Sequence, residues 1–453
     1  MSGTGLVATL SIALGTGLPV AVPVHGVGSR QDLPLPFTAL VIGAALALLA
    51  SFVGLGLLWR EPRLHDDDGW ALPRTVQSVL DSRWTRGVAA GLSGVLTVWV
   101  LVSLLAGRDT ADNPVPYVVY VWLWVGLPVL SLLFGPVWTT LNPLRRLHRG
   151  LASVARIDRD ARLTDAHPGR WPAAVLLLFF TWLELVAQDR TTLPVLRIAV
   201  AFFVLVSIAG SLIFGRSWFR EGDPFEVLSR VYGQLSPLAR RGDRRFALRT
   251  PVHGPSLLPA RRGLLATVSV LLGGTAYDSL SSDIRYAAWV QSTSAPELLR
   301  TATLVATCLV VGLALLLAAR IAARIAGVPG HGMGEYFAPS VIPIAAGYLV
   351  AHYWSLGIFQ GQRTLALLSD PLGTGADLLG TAAIVPGQAL IAPTLVAAVQ
   401  AGAIVLGHVL GVVVAHERAV RLFDRRSAVL GQLPLMVAMV LYTVGGLSLL
   451  FAA

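Results

Sequence analysis

The chain alternates long apolar runs with short polar connections. Ten runs come near the roughly 20 residues that a helix needs to cross a bilayer core: 37–59, 87–106, 117–138, 171–187, 194–215, 263–282, 299–319, 339–359, 392–415 and 431–452. An eleventh, 4–23, has an apolar centre and ends in "AVPVHG", but lacks the basic opening of a secretory signal. It reads either as a first membrane helix or as a signal, cleaved or uncleaved, with residues up to 36 as an outer segment. The pattern predicts an all-α polytopic membrane helix bundle of about 10–11 transmembrane helices. Residues 37–453 form a single bundle, with short amphipathic helices on its cytoplasmic side.

Composition supports this. Of 453 residues, 55% are hydrophobic and 13% charged, where a soluble domain has about 25% charged. Mean hydropathy is +0.68. The formal charge of +10 would by itself suggest a nucleic-acid partner. The arginine positions argue for lipid instead. All 35 basic residues are arginine, and 28 of them fall in the connections 60–86, 139–170, 216–262, 320–338 and 416–430. The other 7 (Arg30, Arg108, Arg190, Arg197, Arg285, Arg300 and Arg363) lie on the opposite side of the alternation. Cytoplasmic loops carry such an excess. This predicts a multi-pass protein of the plasma membrane with an extracytoplasmic C-terminus, a bilayer partner and no nucleic-acid partner. The single Cys308 excludes an intrachain disulfide, and its apolar run makes it a small core residue.

Two stretches echo one another. "SLLFGPVWTTLNPLRRL" at 131–147 and "SLIFGRSWFREGDPFEVL" at 211–228 share Ser-Leu-x-Phe-Gly-x-x-Trp, then Asn-Pro or Asp-Pro. Asn142 and Asp223 suit helix N-caps, and Pro143 and Pro224 suit the first helical position. A short cytoplasmic helix is expected from each proline. Residues 117–238 then read as a parallel internal repeat.

Ionisable residues inside apolar runs carry the functional argument, since they are costly in lipid. Glu184, Asp278 and His352 all fall towards the outer ends of their helices. They are the candidate catalytic residues and the candidate ligands of a divalent metal, which His, Asp and Glu can bind without sulfur. No HExxH and no close helical spacing supports that metal. Gln360, Gln362 and His25 reach the same outer depth as candidate binding residues, and Asp32, Asp189, Asp283 and Asp370 sit in outer connections. His408 is a further binding candidate in the cytoplasmic half, with Tyr442 and Thr443 as expected partners. Gln400 and His416 share its helix, and His416-Glu417 is expected to be solvated at the interface. No P-loop and no GxSxG elbow occurs.

"HGVGSRQDLPLP", "FGPVWTTLNPLR", "VAHYWSLGIFQGQ", "SDPLG" and "GHVLGVVVAHERAVRLF" together resemble a group of actinobacterial integral membrane proteins labelled fenitrothion hydrolase. The resemblance covers nearly the whole chain. It implies hydrolysis of an organophosphate-type ester and carries over no catalytic residue. Three function classes stay open: a membrane-embedded hydrolase with an outward-facing polar pocket, an ion- or proton-coupled transporter or channel, and a membrane subunit of a redox or metal-handling complex. The first two require a small-molecule substrate or an ion as partner.

Overall fold

The computed structural model describes residues 36–154, 156, 163–164, 169–384 and 392–451. The 4–23 run, His25 and Asp32 lie outside the described residues. Among the described residues nine helices are long and apolar enough to cross a membrane, and a tenth apolar helix, Trp171–Leu185, has 15 residues. In chain order they are α1 (Phe37–Leu58), α2 (Arg83–Ala106), α3 (Val115–Phe134), α4 (Trp171–Leu185), α5 (Leu193–Phe214), α6 (Leu264–Ser281), α7 (Pro296–Ile325), α8 (Ile342–Leu367), α9 (Pro393–Leu422) and α10 (Arg425–Leu450). Each of the ten apolar runs from 37 onward has become one of these helices. The protein is an all-α, multi-pass bundle in contact with lipid.

Burial sorts the helices. In the stretch Met333–Leu367, which contains α8, 78% of the most apolar window is buried, and in α6 67%. The figures for α1 and α2 are 17% and 11%, so these two face lipid. Small residues let the interior helices meet. A Cβ at Gly347 would run into the Ala403 carbonyl, one at Gly407 into that of Pro343, and one at Gly273 into the Cys308 backbone. The α8–α9 and α6–α7 pairs therefore approach backbone to backbone, as small residues allow in membranes.

The connections segregate into two ends. On the arginine-rich end, β1 (Trp70–Ala71), β2 (Leu238–Arg240) and β3 (Phe246–Leu248) join two connections in an antiparallel sheet of order β1-β3-β2. Glu417 is fully buried there. It accepts from Trp59 Nε1 at 2.8 Å, from the backbone of Arg63 and Leu64 at 3.1 Å, and from Arg421 at 2.7 Å. His416 is 1% exposed, with its ring nitrogens against the Trp59 carbonyl and Gln432. The expected solvation of His416-Glu417 is thus incorrect: the α1–α2 connection folds over the end of α9 and covers both. On the arginine-poor end, Arg363 pairs with Asp112, and the Leu193 amide donates to Asp109.

Helices begin at Pro143 and at Pro224, each behind its capping side chain. Asn142 accepts from the Leu144 and Arg145 amides, and Asp223 from the Glu226 amide at 2.7 Å. Before each cap stands a glycine of positive φ, Gly135 at 81° and Gly215 at 60°. Only glycine takes this conformation without strain. The two segments also pack together through matching positions: the Asn142 amide lies 3.4 Å from Asp223 Oδ2, and Arg145 pairs with Glu226 at 2.7 Å.

One element departs from the expected regular helix. Within α3, Val118–Gly126 is a π-helix of 9 residues. Pro128 has no N–H for the Trp124 carbonyl, and the Leu127 amide already bonds five residues back, to Trp122. The widened turns bring Tyr120 and Trp124 against Phe180 of α4.

Candidate functional site

Asp278 is on α6, four residues after the Gly273-Gly274 pair that admits α7 and, at Thr181, α4. It is fully buried. Its Oδ2 accepts a hydrogen bond from the Tyr353 hydroxyl at 2.8 Å and lies 2.7 Å from His352 Nε2. His352 and Tyr353 are neighbours on α8, and both rings converge on one carboxylate, 4.9 Å apart between centroids. His352 is 4% exposed, so it faces the bundle interior as its apolar neighbours require.

Glu184 is also inside, 2% exposed, and among the described residues neither carboxylate oxygen has a hydrogen-bond partner. It is close enough to Asp278 and Tyr353 to interact electrostatically with both. Two clefts reach these acids from the arginine-poor end. The larger, about 180 Å³, is lined by Asp278, Tyr277, Tyr286, Arg190 and Arg300 among others. The smaller, about 30 Å³, is lined by Glu184, Tyr120 and Arg190 among others. It holds about one water.

Several expected site residues fall elsewhere. No three His, Cys, Asp or Glu side chains come together as a metal site among the described residues. The three-ligand reading of His352, Asp278 and Glu184 is therefore corrected: Asp278 bonds to His352 and Tyr353, while Glu184 faces its own small cleft. Gln360 and Gln362 line neither cleft, and the Gln362 amide donates to the Ile358 carbonyl of its own helix. Asp283 and Asp370 are turn and cap residues. Asp283 accepts from the Arg285 and Tyr286 amides, and Asp370 from those of Thr374 and Gly375.

A second buried group lies further along the same helices. His408 of α9 is fully buried, and its Nδ1–H donates to the Ile404 carbonyl at 2.8 Å. That bond fixes the tautomer and leaves Nε2 as an acceptor without a partner. Tyr348, one turn before His352 on α8, packs its ring 6.0 Å from His408 and 5.3 Å from Tyr442. The expected bonds from Tyr442 and Thr443 to His408 do not form. The Tyr442 hydroxyl donates to the Leu272 carbonyl, and that of Thr443 to Met439 on its own helix. Tyr348, Tyr353, Arg190 and Arg300 were not legible as site residues. The one available signal was position: Tyr353 adjoins His352, and Tyr348 precedes it by one turn.

No protein-family model, no curated protein and no solved structure matches this chain. The class rests on the fold and the site: an integral, multi-pass membrane protein with a buried Asp–His–Tyr cluster below a cleft.

Proposed function

We propose that the protein is a proton-coupled membrane carrier, with Asp278, His352 and Tyr353 as its proton-exchanging centre. The observation that carries this reading is the succession of buried polar groups along α8. His352 meets Asp278, and one turn away Tyr348 meets His408. An enzyme that works on one face needs only the first group. A carrier that moves protons through the bundle needs ionisable groups at more than one depth. A charged group such as an ionised Asp costs about 2.5–3.5 kcal/mol to place at the bilayer centre. A carboxylate and an imidazole in contact can pass a proton between them, and Asp278 borders a cleft through which that proton can leave.

The test is proton flux into liposomes that hold the purified protein and a trapped pH-sensitive dye. Gradients of sodium, chloride, phosphate and acetate are imposed in turn. At least one should drive proton movement, and Asp278→Asn should reduce it by about tenfold or more, the scale set by loss of a charged hydrogen bond. Flux that survives Asp278→Asn, or no flux under any gradient, counts against the carrier.

A second reading, hydrolysis of an organophosphate-type ester, is favoured by one feature. A carboxylate–imidazole pair is the usual arrangement of a general base, and this one borders a cleft of about 180 Å³. Release of a chromogenic phenol from a phosphotriester, lost in His352→Gln, would select it.

A further inference from the structure

We infer that the cleft beside Asp278 binds a small oxyanion, held between Arg190 and Arg300 with one phenol of the Tyr277 and Tyr286 pair as a further donor. The inference names the cargo class of the proposed carrier; it depends on that reading for the cargo role and not for the binding.

Charge comes first. Arg190 and Arg300 both line the cleft, and among the described residues neither guanidinium forms an ion pair or a side-chain hydrogen bond. Two other arginines at this end are tied down. Arg363 pairs with Asp112, and Arg197 donates to the carbonyls of Leu104 and Leu105. The carboxylates nearby, Asp278 among them in the cleft wall, form no direct ion pair with either arginine among the described residues. Asp278 is already held by His352 and Tyr353, and Glu297 accepts from Gln188. Glu184 shares the smaller cleft with Arg190 and attracts it electrostatically. Two half-buried arginines therefore line the cleft with no direct ion pair among the described residues.

Hydrogen-bonding capacity comes second and is independent of charge. The hydroxyls of Tyr277 and Tyr286 are both buried and close enough to engage one another, which occupies one of the two donors and leaves the other for a guest. A buried donor left unsatisfied costs about 1–3 kcal/mol. An oxyanion in the cleft would find donors in the guanidiniums and in the phenol whose proton the other phenol does not take. A guanidinium presents a planar fork that suits two oxygens of a carboxylate or phosphate better than a spherical halide. Size sets the upper limit. At about 30 Å³ for one water, a space of about 180 Å³ admits a guest of few heavy atoms.

The full-length protein in zwitterionic nanodiscs would be titrated calorimetrically with sodium acetate, inorganic phosphate and sodium chloride at equal ionic strength. Acetate or phosphate should bind, and chloride should not. Arg300→Gln should weaken binding by about tenfold or more, the scale of a lost charged hydrogen bond. Arg300→Lys should weaken it less, and Tyr286→Phe should weaken it while leaving the charge in place. A parallel series in phosphatidylglycerol nanodiscs separates two sources of the same chemistry: competition by the lipid would assign the site to a headgroup phosphate and remove the cargo role. Unchanged binding in the Arg190→Gln/Arg300→Gln double variant, or no heat with either oxyanion, would overturn the inference. The carrier reading is judged separately, by the effect of Asp278→Asn on proton flux.

Discussion

His352 Nε2 and Asp278 Oδ2 lie 2.7 Å apart across the α6–α8 interface, both side chains almost fully buried. Removing one partner of a buried pair leaves the other charge uncompensated, at about 3–5 kcal/mol. Asp278→Asn and His352→Leu should each lower stability by that order. The double variant should lose less than the sum, because no stranded charge remains. Unfolding in detergent with the four proteins of this cycle measures the coupling. Strictly additive losses would mean that the two side chains do not interact in the membrane.

Gly446 of α10 makes room for the Tyr348 ring. A Cβ there would overlap the Tyr348 hydroxyl and crowd its ring carbons. Gly446→Ala should destabilise by about 1–3 kcal/mol, as overpacking of a full core does. It should also displace Tyr348 from His408. Combining it with Tyr348→Leu should recover much of the loss. A Gly446→Ala variant as stable as the parent would show that the ring sits elsewhere.

Asp223 predicts a pH dependence. It lies outside the membrane helices, and burial raises it from the ordinary 3.8 to about 7, against the opposing pull of the Glu226 amide. The folded state then holds a proton that the unfolded chain has released. Stability must fall as pH rises from about 4 to about 7 and level off above. Asp223→Asn keeps a good N-cap and removes the charge. Its thermal midpoint should vary less over this window and exceed the parent's at pH 8. A steeper slope in the variant would refute the assignment.

The two ends of the bundle can be told apart chemically. Gly242 lies beside Asp66 and Asp67 on the arginine-rich end, whereas Asp112 pairs with Arg363 on the arginine-poor end. Cys308 is buried and gives little background. An impermeant thiol reagent added to intact cells should label Asp112→Cys and spare Gly242→Cys. The reverse pattern would place the clefts at the cytoplasmic side.

The periodic apolar runs by themselves determined the class, because a helix must satisfy its own backbone in lipid and about 20 apolar residues are needed for one crossing. Ten runs became the ten apolar helices described above. The Asn-Pro and Asp-Pro caps were equally legible, since capping depends on neighbours within one turn. The cost of a buried ionisable group also pointed to His352, Asp278 and Glu184 as inward-facing. Which acid meets His352 was not legible. Depth along a helix is readable, but rotation about its axis is set by packing against other helices, here by the close approaches at Gly273, Gly347 and Gly407. The same reason hid Tyr348, Arg190 and Arg300, each an ordinary residue until a second helix arrived beside it. His416-Glu417 misled because a polar pair at a helix end is usually wet. Only the folded connection through Trp59 and Leu64 buried it, and nothing in the sequence near residue 416 specifies that contact, which is made with residues far away in the chain.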